Sequence, residues 1–194
     1  LAGIFGQLGA FAHDILRDQL SIDLPWQAWI AIGLAVVAIL GYRDVQISAR
    51  VLGVLLVCEV LILLLLDLVI IGDGGDSGLS LTGFEPAKVF GGAAGVAVTF
   101  AFSCFVGFEA TTIYGEEARD PRRSVPRATY IAILAIGAFY TVTMFAIGTG
   151  YGAGEVADEA RADPVGFVLG LNTRYVGSAS TTVMELLVLT SLLA

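Results

Sequence analysis

The sequence predicts an all-α integral membrane protein, and three observations lead to that prediction. Hydrophobic residues make up 57% of the chain and charged residues only 14%, whereas soluble domains have about 45–50% and about 25%. Charges are absent from several long stretches, which is the pattern of repeated transmembrane helices. The formal net charge of −8 argues against a nucleic-acid partner, because nucleic acids bind to basic surfaces.

Hydropathy divides the chain into six apolar segments that form one expected transmembrane domain over residues 1–194. We expect spans at about 1–16, 26–41, 47–71, 89–115, 128–150 and 178–194, the last of them truncated. Both ends of the chain lie inside apolar segments, and neither an initiator Met nor a signal peptide is visible. We therefore expect a fragment of a longer protein.

The first two spans contain small residues and interfacial aromatic residues. Glycines at positions 3, 6 and 9 are expected to let another helix approach closely. His13 lies in the polar exit from the first span and is expected at the interface rather than in a ligand site. Pro25 begins the second span, and Trp26 and Trp29 suit the aromatic belt of a membrane interface.

The third span contains acids, and the connection after it is also acidic. Asp67 lies toward the outer end of this span, where its carboxylate is expected to reach water. Asp73 and Asp76 follow among glycines, but their spacing does not fit a calcium loop, so a solvated connection is expected. The segment 151–176 is likewise expected to be an acidic loop.

The sequence contains no feature of an enzyme or of a cofactor site. It lacks a metal-ligand cluster, a nucleophile–base pair and a phosphate-binding loop. Cys58 and Cys104 lie within apolar spans, so free thiols are expected rather than a disulfide. We therefore expect no catalytic residue, no metal and no cofactor.

The basic residues are unequally distributed if successive connections alternate between the two sides of the membrane. One side receives six arginines, which are Arg43, Arg50, Arg119, Arg122, Arg123 and Arg127. The other side receives four basic residues over longer loops, which are Arg17, Lys88, Arg161 and Arg174. Because positive residues resist translocation, loops 42–50 and 116–127 are expected to be cytoplasmic in a multi-pass plasma-membrane protein.

The segment 91–128 carries a glycine and an acid inside an apolar span. Gly107 and Glu109 lie well within it, and an acid at membrane depth usually marks a path for an ion, a proton or a substrate. Glycine weakens a helix by about 1 kcal/mol relative to alanine, so we expect a break that exposes backbone carbonyls to a bound group. The alternative is that Gly107 permits close packing while Glu109 hydrogen-bonds to a neighbouring helix.

Several short motifs, three of them in this segment and the others earlier in the chain, form one combined pattern. They are 105–109 (FVGFE), 116–123 (EEARDPRR), 125–128 (VPRA), 41–45 (GYRDV) with 48–51 (SARV), and 3–6 (GIFG). In this order they resemble the amino acid–polyamine–organocation (APC) permeases. The first three are similar to the sixth helix of that family and the loop after it, and the others to its fourth-to-fifth connection and its third helix. The resemblance covers the chain from a late third to an early eighth helix.

The resemblance implies a fragment of a LeuT-type inverted-repeat transporter bundle, in which substrate binds at broken first and sixth helices. By resemblance, the stretch 103–107 offers backbone carbonyls to the amino group of the substrate, and two phenylalanines supply gating or packing aromatics. Glu109 orients the broken helix or takes part in proton coupling. The expected substrate-binding residues are Phe102, Ser103, Phe105, Val106, Gly107 and Glu109.

Glu59 is expected to belong to the coupling-ion site, because it stands where several proton-coupled relatives carry a lysine. The alternative is a neutral Glu59 that hydrogen-bonds between helices. Asp67 and Glu185 are weaker candidates, and Glu185 lies in the truncated last span.

The function implied by the resemblance is secondary active transport of amino acids or related amines, by proton symport or exchange with alternating access. The alternative is a transporter-like amino-acid sensor or a non-transporting membrane subunit. The expected partners are the amino acid or amine, a proton and the lipid bilayer.

Overall fold

The computed structural model describes the whole chain except residues 1, 43–45, 76–77, 92–93, 106–119, 153 and 194. The described residues form helices and their connections and no strand, which confirms the predicted all-α class. The described helices are α1 (Ala2–Leu20), α2 (Trp26–Tyr42), α3 (Gln46–Asp73), α4 (Pro86–Val89), α5 (Ala94–Ser103), α6 (Pro121–Tyr151), α7 (Val156–Ala162), α8 (Phe167–Tyr175) and α9 (Ser178–Leu193). A 3-10 turn at Thr82–Phe84 precedes α4.

Two of the described helices are long and apolar enough to cross a membrane. They are the segment Gly53–Asp73 of α3 and the whole of α6. Shorter apolar helices occupy Trp26–Ile39, Ala94–Ser103 and Ser178–Leu192. Many large apolar side chains on these helices are exposed, as is typical of surfaces that face lipid or further helices.

Contacts divide the chain into two compact units, Leu1–Asp73 with Gly154–Ala194, and Gly74–Ala153. In the first unit, α9 packs against α1, α3 and α8, and α1 packs against α2. Its buried apolar side chains are Leu8, Ala12, Ile15, Leu66, Ile70, Leu169, Leu171, Met184 and Leu187. Each of the helices α1, α3, α8 and α9 therefore has a buried apolar face.

Gly9 brings α1 and α2 into close contact. A Cβ atom at position 9 would lie 2.8 Å from the carbonyl oxygen of Trp26 and 2.8 Å from Cγ1 of Ile30. Position 6, by contrast, has nothing within 4 Å. His13 closes the hairpin, since its Nδ1 lies 2.7 Å from the carbonyl oxygen of Leu24 and donates to it. Close approach of the two helices therefore depends on Gly9 and not on Gly6.

Asp67 is buried, and the prediction that its carboxylate reaches water is wrong. Only 1% of the residue is exposed, and Leu66 and Ile70 beside it are fully buried. Positions 66, 67 and 70 share one face of a helix because they are spaced by three or four residues. Since α3 packs against α8 and α9, an acid on this face is enclosed by protein although it lies near the helix end.

The segment predicted to be an acidic loop contains two helices, α7 and α8. Its charges stabilise helical structure rather than solvated coil. Asp158 and Glu159 occupy the first turn of α7, where acidic side chains interact favourably with the helix dipole. Arg161 Nη1 donates to Asp158 Oδ1 at 2.7 Å, one turn away. After α7, the carboxylate of Asp163 accepts a hydrogen bond from the backbone N–H of Gly166 at 2.8 Å.

The second unit contains the 3-10 turn, α4, α5 and α6. Phe84 of the 3-10 turn lies against Phe145 of α6, with 6.0 Å between ring centroids. Gly75 has a φ of +65° and approaches the carbonyl group of Thr149 so closely that a Cβ atom would overlap with it. This contact holds the start of the unit against the last turns of α6.

Helix α6 begins at Pro121, a proline at its first turn, where the missing N–H does not interrupt the helix. The hydroxyl of Ser124 donates to the carbonyl oxygen of Asp120, the residue before the helix, at 2.6 Å. Pro126 lies inside the helix and cannot donate to the carbonyl oxygen of Arg122. The helix therefore begins seven residues before the expected start of the span at 128, and it includes Arg122, Arg123 and Arg127.

Candidate functional site

The end of α5 lies inside the apolar segment where the sequence predicts a broken span. The helix ends at Ser103 and its last turn tightens. The N–H of Cys104 donates to the carbonyl oxygen of Phe100 at 3.1 Å, and the N–H of Phe105 donates to that of Phe102 at 3.1 Å. The second of these bonds spans three residues instead of four, which is typical of a helix terminus.

Three of the expected substrate-binding residues cannot be placed in this geometry. Val106, Gly107 and Glu109 lie outside the described residues. The other three, Phe102, Ser103 and Phe105, lie within four residues of one another at the α5 end. The described part of the site is therefore the segment that leads into the predicted break.

Two hydroxyl groups follow one face of α5. Thr99 Oγ1 donates to the carbonyl oxygen of Gly95 at 2.9 Å, and Ser103 Oγ donates to that of Thr99 at 2.9 Å. Residues spaced by four lie above one another on a helix, so these groups form a polar line on an otherwise apolar surface. Each hydroxyl has its hydrogen engaged, while its oxygen keeps the capacity to accept a bond from a donor such as an ammonium group.

The two phenylalanines have different surroundings. Phe102 is 74% exposed, so in the described chain its ring is open to a ligand or to another helix. Phe105 is half-buried and lies against α6. Its ring meets the ring of Tyr140 edge to face, with centroids 6.2 Å apart and planes at 74°. A Cβ atom at Gly137 would be 3.6 Å from Cζ of Phe105, so the ring lies directly over the backbone of this glycine.

Tyr140 also reaches the backbone at the end of α5. Its hydroxyl donates to the carbonyl oxygen of Cys104 at 3.4 Å, a long hydrogen bond. The hydroxyl of Thr141 donates to the carbonyl oxygen of Gly137 at 2.7 Å, within α6. The carbonyl of Cys104 is one of those that the family resemblance implies for the amino group of a substrate, so α6 contacts the described end of the expected site.

Sequence reasoning did not find Gly137 or Tyr140. The available signal was their spacing of three on one apolar helix, which puts a gap and an aromatic ring on the same face. That pattern is common in membrane helices, so it does not predict a contact by itself. The contact is recognised only from the position of Phe105 in the structure.

Glu59 lies on α3 in the first unit, and it is half-buried. Asp67, two turns further along the same helix, is the more deeply buried acid. Among the described residues, no group of three or more His, Cys, Asp or Glu side chains could hold a metal ion. Cys58 and Cys104 are both free and exposed.

Most of the chain is similar to known proteins. The sequence profile of a family described as amino acid permease matches residues 15–194. A protein of Pseudomonas aeruginosa described as "Probable GABA permease" is 40% identical to this chain over 65 residues. The matched segment is 34% of this chain and 13% of that relative, so the alignment spans a small part of the relative's length. No solved structure matches the chain.

Proposed function

This chain belongs to the amino acid permease family, and from that premise we propose that it is part of a secondary transporter for amino acids or related amines. The observation that carries the proposal is the family match over residues 15–194. The apolar helices support it, because α3 and α6 both contain a segment able to cross a membrane. Transport involves no covalent step, so the proposal includes neither a catalytic residue nor a cofactor.

The proposed mechanism is alternating access in a LeuT-type bundle, with substrate near the bilayer midplane between two helix bundles. The end of α5 is the proposed contact with substrate. A helix that ends inside an apolar segment presents carbonyl groups beyond its last turn, and such groups can coordinate an ammonium ion. The tightened turn at Phe105 and the hydroxyl of Ser103 support this role.

The proposed substrate contacts extend beyond the described part of α5. They are Phe102, Ser103, Phe105, Val106, Gly107 and Glu109. Phe102 is the proposed gating aromatic, because its ring is exposed at the α5 end. Glu109 is proposed to orient the broken helix or to take part in coupling.

The substrate class is proposed to be a small molecule with an amino group. The similarity to a protein described as a GABA permease supports ω-amino acids as a group to test beside the α-amino acids. Both carry an ammonium group for backbone carbonyls and a carboxylate for helix N-termini.

Coupling is proposed to use a proton, or else an exchanged substrate. Glu59 is the proposed coupling residue, because it is an acid within Gly53–Asp73, a segment long and apolar enough to cross a membrane. Its half-buried position supports contact with both protein and a polar path.

The proposed orientation places the start of α6 in the cytoplasm, together with loops 42–50 and 116–127. The side chains of Arg122, Arg123 and Arg127 are exposed on the first two turns of α6. Exposed arginines next to an apolar span resist translocation and favour the cytoplasmic face. The plasma membrane is the proposed location.

Uptake by the full-length protein in proteoliposomes would test this proposal. Radiolabelled α-amino acids and γ-aminobutyrate are offered separately, with and without an imposed proton gradient, beside protein-free vesicles. We expect saturable accumulation of at least one compound, by gradient or by exchange against internal substrate. Saturable binding with neither accumulation nor exchange would identify a sensor and would refute transport.

A further inference from the structure

Phe105 is held against α6 by two residues at once. Gly137 lies beneath the ring, and Tyr140 meets it edge to face. Because the two residues are three positions apart, both belong to the same face of α6. We call Gly137 and Tyr140 the Phe105 seat. Both residues lie in the same compact unit as Phe105.

We propose that the Phe105 seat sets the position of the α5 end, and through it the affinity for substrate. This inference rests on the proposed substrate site at that end. Gly137 and Tyr140 are positioning residues, since they act on the carbonyl-bearing backbone and not on the reacting or transported group. Among the described residues 94–105, the contact of Phe105 with Tyr140 is the one ring–ring contact with α6.

The space over Gly137 limits which residues the seat accepts. A Cβ atom there would lie 3.6 Å from Cζ and 3.9 Å from Cε1 of Phe105, which is ordinary van der Waals contact. Alanine therefore fits. A larger side chain adds atoms beyond a Cβ that is already in contact with the ring, and it is expected to displace the ring. Valine at this position pushes Phe105, and the turn that carries it, away from α6.

The hydroxyl of Tyr140 adds a direct restraint on the backbone. It donates to the carbonyl oxygen of Cys104 at 3.4 Å. A carbonyl oxygen has two lone pairs, so this bond leaves one for an ammonium group. Tyr140 thereby fixes the direction of a proposed substrate contact without occupying it. The Phe variant at position 140 keeps the ring edge and loses only this restraint.

The thiol of Cys104 reports on the seat without any need for transport. It is exposed, and it lies next to Phe105 in the sequence. In the full-length protein, Cys58→Ser and replacement of any other cysteine leave this thiol as the labelling site. We expect Gly137→Val to change the alkylation rate of Cys104 by roughly fivefold or more. A fivefold change corresponds to about 1 kcal/mol in the free energy that governs access to the thiol. Gly137→Ala is the matched control and leaves the rate unchanged.

A second substitution separates displacement of Phe105 from misfolding. Phe105→Ala removes the ring and is expected to change the labelling rate by itself, but it leaves valine nothing to displace. The double variant Gly137→Val with Phe105→Ala is therefore expected to label at the same rate as Phe105→Ala alone. If Gly137→Val leaves the labelling rate at the wild-type value, the seat does not position α5 and the proposal fails. A double variant whose rate differs from that of Phe105→Ala by the full effect of Gly137→Val overturns it as well, because valine then acts without the ring.

Uptake kinetics then connect the seat to substrate. Tyr140→Phe is expected to raise KM by roughly threefold with Vmax unchanged, because only a restraint on substrate binding is lost. Gly137→Val raises KM further, and Gly137→Ala does not. A loss confined to Vmax contradicts a positioning role. If the variants change Cys104 labelling but the wild-type protein shows no uptake, the positioning role of the seat is supported and the transport proposal is refuted. The failure of one proposal can therefore be distinguished from the failure of the other.

Discussion

Asn172 in α8 and Thr181 in α9 are joined by a buried hydrogen bond across the turn between the two helices. Asn172 Nδ2 donates to Thr181 Oγ1 at 3.2 Å and to Ser180 Oγ at 3.1 Å. Asn172 is fully buried and Thr181 is 7% exposed. Gly177, with φ of +118°, makes the sharp turn that lets the helices meet. The amide therefore locks a helical hairpin inside the first unit.

Replacement of Asn172 by Ala should unlock this hairpin. The substitution removes the amide from buried hydroxyl partners, which typically destabilises a protein by about 1–3 kcal/mol. We expect a lower melting temperature for the full-length protein in detergent, measured by tryptophan fluorescence or thiol reactivity. Thr182→Ala is the control, because Thr182 is exposed and bonds only within α9 in the described contacts. Equal melting temperatures for the two variants would show that the amide does not stabilise the hairpin.

Gly9→Ala is expected to separate α1 from α2, since the added Cβ meets the carbonyl oxygen of Trp26 at 2.8 Å. Overpacking of this kind costs about 1–3 kcal/mol. The same substitution at Gly6 meets nothing within 4 Å and gains helix propensity of up to about 1 kcal/mol. Thermal melting of both variants checks the difference. A Gly9→Ala protein as stable as Gly6→Ala would contradict the close contact.

Asp67→Lys should prevent accumulation of folded protein. A lysine there would place an ammonium group on a face shared with fully buried Leu66 and Ile70. Enclosing a charge without a compensating partner is strongly unfavourable. Asp73→Lys makes the same change on the same helix at an exposed position and should be tolerated. The measurement is the amount of monodisperse protein recovered in detergent, and equal recovery of both variants would argue against the burial of Asp67.

Glu59→Gln is expected to abolish uptake driven by a proton gradient and to leave exchange of internal for external substrate intact. The amide cannot release a proton, whereas the fold and the substrate site need not change. Counterflow and gradient-driven uptake in the same vesicles test this, with Glu85→Gln in an exposed segment as control. Gradient-driven uptake at the wild-type rate would remove Glu59 from the coupling site.

The helical class was predictable because the composition is not that of an ordinary soluble domain, and because long, continuous apolar segments are typical of membrane helices, which satisfy their own backbone groups in lipid. The short helices α7 and α8 were not predictable from hydropathy. The charged residues of this segment are typical of a loop. Their helix-stabilising role is visible in the pairing of Asp158 with Arg161 and in the acids of the first turn of α7.

Side-chain environments were harder to predict than helices. Asp67 was expected in water because its depth along α3 was considered and its direction around the helix was not. Gly137 and Tyr140 depend on a ring from a different helix, so no local pattern identifies them. The 105–109 motif identifies Phe105 as a candidate site residue, but it does not identify the residues of α6 that hold its ring.

The length of α6 has a consequence for the membrane around the protein. Its 31 residues extend about 46 Å, whereas the hydrocarbon core of a bilayer is about 30 Å thick. The excess must be accommodated by tilt or by turns that lie among the headgroups. Because Gly137 and Tyr140 belong to this helix, we expect a change of bilayer thickness that tilts α6 to alter its contact with Phe105. Lipid chain length is therefore expected to act on the α5 end.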